Sequence, residues 1–338
     1  AVLGMGAGMA ATDTLTRFEL TRTVATSVVH LRDFDFEKPD VKPESTLPAS
    51  ESIPQPYYEY PAGFLKGQDG ERKASARIRE LRARSELARG ATTASHLEVG
   101  KMVAVTSVAQ GALARSYIVT ELRTSGSQTL TGAGKGGDDS AANVVECDFT
   151  AIPEGAPYAP PRRTRRPRIH GLQTAMVTGP SMGEEEIHTD KYGRVKVRFR
   201  WDRVGQFDDK SSCWLRVMQA PLGGQMIIPR VGWEVSVAFL DGDPDRPFVL
   251  GRLYNAERTP PYALPGTKTS GSIKSASSPG GAGFNEIKLG DSGGSQGFGV
   301  TAQKDLNVIV EHDQNETIGA NEAVTVKVNA SRSVGSNQ

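Results

Sequence analysis

The sequence predicts a mainly β chain with one helix, a five-stranded barrel and a short-period repeat near its C-terminal end. Three observations carry that prediction. Gly (37) and Pro (20) are abundant in 338 residues, which favours short strands and frequent turns over long helices. Between residues 172 and 254, five β-rich runs are separated by turn-forming residues. Beyond residue 310, apolar residues recur at a spacing of eight.

The first segment, 1–60, is rich in Thr and Val, and Thr14–Val29 has the β-branched composition of strands. Asp33–Pro39 runs into the proline-rich stretch Pro39–Pro56, which reads as a crossing loop. The predicted helix is Glu71–Arg89. Its strong helix formers place Ala74, Ile78, Leu81 and Ser85 on one face, and Gly90 stands where a C-terminal cap belongs. Strand-like runs follow at His96–Val108, Ser116–Arg123 and Asn143–Ile152, with Gly132–Ser140 as a flexible exposed loop. Pro153–Pro167 is Pro/Arg-rich and reads as a linker.

The five barrel strands are expected at Leu172–Thr178, Gly193–Trp201, Cys213–Gln219, Trp233–Phe239 and Pro247–Tyr254. In the second, Val195, Val197, Phe199 and Trp201 alternate with Lys196, Arg198 and Arg200, so one face is buried, Trp201 included, and the other solvated. Five strands in so short a span suit a Greek-key barrel of the OB type. Thr259–Gly297 is then Gly/Ser/Pro-rich. In the last stretch Val310, Ile318, Val326 and Val334 are eight apart; Gly319 and Gly335 follow two of them, and Lys327 stands at the equivalent place after Val326. That is the signature of a β-helix or β-prism. One such chain has an apolar strip and open strand edges that it cannot bury alone, whereas three chains about a common axis close both.

Charge and composition narrow the function classes. A net charge of +1 gives no bulk electrostatic reason to expect nucleic acid or an anionic membrane. No run of 18 apolar residues suggests a transmembrane helix, and the opening AVLGMGAGMA has no basic n-region of a signal peptide. Cys147 and Cys213 are expected as free, buried thiols.

Glu186–Arg203, Ser212–Gln219 and Ile228–Asn255 resemble the OB domain of the VgrG proteins, the spike proteins of type VI secretion systems. Gly283–Asp291 and Ala302–Asp313 resemble the start of that family's β-helical needle, and Leu31–Pro39 and Tyr57–Phe64 its hub. The resemblance implies a partial phage-hub-like β domain with one helix over 1–160, an OB-fold over 161–257, and a linker with the start of a trimeric needle over 258–338. It implies a homotrimer that caps a hexameric Hcp tube, carries a PAAR-repeat tip and effectors or adaptors on its needle, meets baseplate components, and punctures a target membrane mechanically. Such a spike is assembled in the cytoplasm and then translocated out of the cell or into a target cell. The family's preceding barrel and further needle repeats are missing here, so the chain is expected to be a central excerpt. A related prophage tail spike is the nearest alternative.

No catalytic residue, cofactor or metal is expected. Leu240–Pro247 is acidic but lacks the ligand order of a calcium loop and reads as a tight turn. The histidines His30, His96, His170, His188 and His312 have no zinc-type spacing; only His312, in the repeat, could meet its copies on a three-fold axis. Glu184–Glu186 and Asp208–Asp209 read as solvated loop charges. Arg162–Arg168 and the strand cations Lys196, Arg198 and Arg200 define the alternative from another class, an OB-fold nucleic-acid binder.

Overall fold

The computed structural model describes residues 2–4, 14–49, 54–106, 111–127, 144–180, 185–221 and 223–336. The expected loop Gly132–Ser140 lies outside the described residues. The chain divides into two compact units, Ala1–Arg165 and Arg166–Gln338.

In the first unit the strands are β1 (Val2–Gly4), β2 (Leu15–Arg22), β3 (Val28–Arg32), β4 (Glu44–Pro48) and β5 (Pro56–Glu59), then the helix α1 (Gly67–Arg82), then β6 (Glu86–Thr92), β7 (Met102–Thr106), β8 (Ser116–Ser127) and β9 (Val144–Pro153). Six of these strands form one sheet in the order β1-β7-β8-β9-β6-β2. Its inner face buries Leu3, Leu15, Val103, Val105, Tyr117, Val119 and Phe149. A smaller sheet, β4-β3-β5, packs Val29 and Leu31 against Phe64 and the Ala74–Ile78 face of α1.

Two expectations change here. The stretch Pro39–Pro56 is not all loop, because β4 pairs antiparallel with β3 along Val28–Arg32. The helix stops at Arg82 rather than Arg89, and Glu86–Thr92 is instead a central strand paired with both β2 and β9. Pairing on both edges outweighs the local helix propensity of Glu86–Arg89. Gly90 is therefore no helix cap. A Cβ there would sit 2.4 Å from Cζ of Phe149, so glycine is required by close packing.

The second unit contains β10 (Gln173–Thr178), β11 (Lys196–Phe199), β12 (Arg216–Val217), β13 (Glu234–Phe239) and β14 (Pro247–Leu253), followed by β15 (Ser270–Lys274), β16 (Glu286–Gly290) and β17 (Gly297–Thr301). The first five form a sheet in the order β11-β10-β13-β14-β12, and the bridge between Val195 and Leu215 brings its two edges together. This closure makes the five-stranded barrel of the OB type. Ala175, Val177, Val195, Val197, Leu215, Val235, Val237 and Val249 fill its interior. Leu240–Pro247 is the turn joining β13 to β14, with Asp243 accepting from the Asp245 backbone N–H at 3.0 Å.

Trp201 does not join the barrel core. Strand β11 ends at Phe199, and the ring of Trp201 is 59% exposed, stacked on Phe199 at 5.0 Å. The alternation fails because the chain turns at Arg200 and Trp201. Cys147 is buried as expected, but Cys213 is exposed.

Candidate functional site

The strands β15, β16 and β17 form an antiparallel three-stranded sheet. Its register places Ile273, Ile287 and Val300 directly opposite one another, with Gly271, Leu289 and Phe298 in the next row of the same face. All five large side chains are exposed, Phe298 by 71%. The other face is polar and is covered at Glu286. The Tyr262 hydroxyl donates to Oε1 of the buried Glu286 at 2.5 Å, and Lys288 lies over the Tyr262 ring at 4.2 Å. The Tyr262–Glu286 hydrogen bond, with burial, pushes the phenol pKa up, so Tyr262 keeps its proton and remains the donor.

The barrel grips the hairpin that begins this sheet. Arg230 donates to Oε2 of Glu186 at 3.0 Å and to the Ala276 carbonyl at 2.5 Å, while Glu186 Oε1 accepts from the Gly280 N–H at 2.6 Å. The Ser278 hydroxyl and the Gly280 N–H hold the Glu186 carboxyl below its ordinary range. One ion pair thus fixes both ends of the Ala276–Gly280 loop.

Beyond Thr301 the described chain has no regular secondary structure and bends at 303–304, 311–312, 319–320, 327–328 and 335–336, a spacing of eight. Val310, Ile318, Val326 and Val334 stand immediately before successive bends. They are 46%, 43%, 51% and 44% exposed, against 72% for Val308 and 87% for Val328. Gly319 and Gly335 lie in the bends, with open space where a Cβ would be. His312 is exposed and its Nδ1 is 2.9 Å from Asp313. Among the described residues no group of three His, Cys, Asp or Glu side chains is placed to hold a metal ion, and no helix is long and apolar enough to cross a membrane.

Five of the cations considered for nucleic-acid binding are engaged within the chain. Lys196 donates to the Ser212 carbonyl, Arg198 to the Asp202 carbonyl, and Arg200 pairs with Glu234 at 3.1 Å. Arg162 pairs with Glu59 at 2.9 Å and Glu80 at 3.2 Å, and Arg163 with Glu121 at 2.8 Å. The His188 ring stacks on Trp214 with Nδ1 2.8 Å from Glu185, and His30 Nδ1 is 3.0 Å from Thr46 Oγ1. Sequence reasoning picked out the eight-residue spacing but missed the sheet face of Ile273, Ile287, Leu289, Phe298 and Val300. Its strands are short and glycine-interrupted, and only the register aligns their apolar residues.

Three family models match the chain. Residues 1–130 match the phage tail baseplate hub, 184–254 the type VI secretion system/phage-baseplate injector OB domain, and 271–338 the bacteriophage T4 gp5 C-terminal trimerisation domain. The chain is 39% identical over 317 residues to the type VI secretion system spike protein VgrG1b of Pseudomonas aeruginosa, covering 91% of this chain and 42% of that protein. It is 35% identical over 311 residues to the spike protein VgrG3 of Vibrio cholerae, covering 90% of this chain and 30% of that protein. It is 33% identical to the Vibrio cholerae actin cross-linking toxin VgrG1, covering 89% of this chain and 28% of the toxin. Among solved structures, an E. coli type VI secretion component described as similar to the T4 tail proteins gp27 and gp5 aligns at 20% identity and a TM-score of 0.43, covering 75% of this chain and 49% of that one. The chain spans less than half the length of these relatives.

Proposed function

Since the chain belongs to the VgrG family of type VI secretion system spike proteins, we propose that it is the hub-to-needle part of a non-enzymatic trimeric spike. The observation that carries this reading is the bare apolar face of β15–β17, followed in sequence by the exposed residues Val310, Ile318, Val326 and Val334. A single copy leaves that strip in water, and copies joined about one axis remove it. On this reading 1–160 is the remaining hub portion, 161–257 the OB-fold, and 258–338 the linker and needle start, with Gly319 and Gly335 leaving room where three chains crowd together.

The work such a part performs is mechanical. A rod with no open edge and a covered apolar strip can carry axial load. The hub would cap an Hcp tube on a baseplate, and the needle would carry a PAAR-repeat tip with effectors or adaptors. Driven by an external machine, the spike would pass from the cytoplasm through a target membrane. No residue here is assigned bond chemistry. The acids lining the groove of about 710 Å³ in the first unit support that reading, since Glu80 and Glu121 are both tied to arginine. An OB-fold nucleic-acid binder is less well supported, because Lys196, Arg198 and Arg200 are committed to internal partners.

Light scattering on the purified chain tests the proposal. A trimer has a mass of ~109 kDa, three times the 36.2 kDa of one chain, as edge closure by three copies requires. A folded species of 36.2 kDa would refute it.

A further inference from the structure

Arg252 is an arginine on the wrong face of its strand. In the register of β13 and β14 it lies opposite Val235, whose side chain is fully buried, so Arg252 projects from the same inward face at the end of the barrel. Its guanidinium carbon lies 3.7 Å from the ring centre of Trp233 and 4.5 Å from that of Tyr254. Its Nε is buried and has no acceptor. The Glu234 carboxylate, on the adjacent strand, meets Arg200 at 3.1 Å and the Asn255 amide at 2.7 Å, both through Oε2. A second guanidinium stands close by. Arg258 is fixed through its backbone N–H on Asn255 Oδ1 at 2.9 Å, and its Nη2 lies 3.5 Å from where a Cβ on Gly232 would be. Burial and the proximity of Arg258 both push the Arg252 pKa down.

A buried donor without an acceptor is costly, and two like charges side by side add to the cost. Two aromatic faces hold the guanidinium in place and leave its planar fork to receive one flat anion. The position of the site indicates where the anion comes from. It lies where β14 runs out into Asn255–Thr269, the segment that leads from the barrel to the apolar β15–β17 face. Copies that meet through that face bring a neighbour to this end of the barrel. Each copy also carries carboxylates that make no ion pair of their own, Asp209, Glu257 and Asp291 among them.

We propose that Arg252, supported by Trp233, Tyr254 and Arg258, is a receptor for a side-chain carboxylate of the adjacent copy of this chain. The proposal rests on the trimeric reading above. The contact would be a charge-assisted pair at the barrel end, setting the angular position of one barrel against the next while the apolar needle face supplies adhesion.

The test uses the whole 338-residue chain. Arg252→Lys, which keeps the charge and adds a reactive amine, is prepared as a mixture of ¹⁴N- and ¹⁵N-labelled copies and treated with a carbodiimide. The expected result is an amide between Lys at 252 and one acidic residue, found by mass spectrometry in mixed-isotope peptide pairs. In parallel, Arg252→Gln should lower the denaturant concentration at which the trimer separates and weaken each interface by about tenfold or more, the size of a hydrogen bond to a charged group. Because Arg252 borders the core, Arg258→Gln is run beside it and should shift dissociation in the same direction to a smaller extent. A wild-type monomer overturns the trimeric reading and this proposal with it. A stable trimer whose cross-links lie only within single-isotope chains, or whose dissociation is unmoved by Arg252→Gln, overturns this proposal and leaves the trimer standing.

Discussion

Phe298→Ala separates an assembly face from an ordinary surface. Phe298 lies on β17 and is 71% exposed in one copy. Fully burying a side chain of this kind contributes about 1.5–3 kcal/mol, so covering the exposed share would contribute about 1–2 kcal/mol per copy. Three copies lose about 3–6 kcal/mol per trimer, which moves the trimer dissociation constant by roughly two to four powers of ten. If the face stays in water, the same substitution falls in the class of exposed changes, within about 0.5 kcal/mol. Analytical ultracentrifugation over a dilution series reads the dissociation constant, and circular dichroism checks that the fold is intact. A Phe298→Ala protein that dissociates at the wild-type concentration refutes the assignment of this face.

The remaining predictions concern the first unit. The Glu59 and Glu80 carboxyls sit at the junction of Arg77 and Arg162. Burial alone would raise both pKa values, but Arg162 and Tyr57 with Arg77 outweigh it at Glu59, and Arg162 with Arg77 at Glu80, so both end below the ordinary range. Their folded values are depressed, so their contribution is fully present above the unfolded pKa of about 4.3 and is lost as pH falls through the folded values. The melting temperature should therefore drop between about pH 5 and pH 3, and drop less in Glu59→Gln. Arg162→Ala removes both carboxylate partners of the segment after β9. Arg162 is half-exposed, so about 1 kcal/mol is expected, read by thermal melting, together with faster proteolysis near Pro160. Gly90→Ala places a methyl 2.4 Å from the buried Phe149 ring and 3.0 Å from the Arg17 carbonyl, and should cost about 1–3 kcal/mol by denaturant titration.

Several elements of the fold were legible in the sequence because local chemistry sets them. Val195 and Val197 alternate with Lys196 because a strand end with one buried face needs that period, and the barrel buries those two valines. Ala74 and Ile78 mark the helix face because a spacing of four puts them over one turn, and both pack under the small sheet. The eight-residue spacing of Val310, Ile318, Val326 and Val334 is likewise written in the chain and coincides with its bends.

The tertiary structure decided the rest, because non-local pairing has no local signature. Glu86–Arg89 is composed like a helix and becomes a strand because β2 and β9 offer hydrogen bonds on both sides. Trp201 continues an alternating pattern in sequence, yet the chain turns at Arg200 and Trp201 and leaves its ring on the surface. The apolar face of Ile273, Ile287, Leu289, Phe298 and Val300 exists only through the register of three short strands. Arg252 reads as one more cation in sequence, and only its place opposite Val235 makes it a half-buried arginine whose buried Nε has no acceptor. Composition and period determine which segments become strands, helix and repeat, whereas the neighbours that pairing brings to each edge and face determine which surfaces are left to be covered.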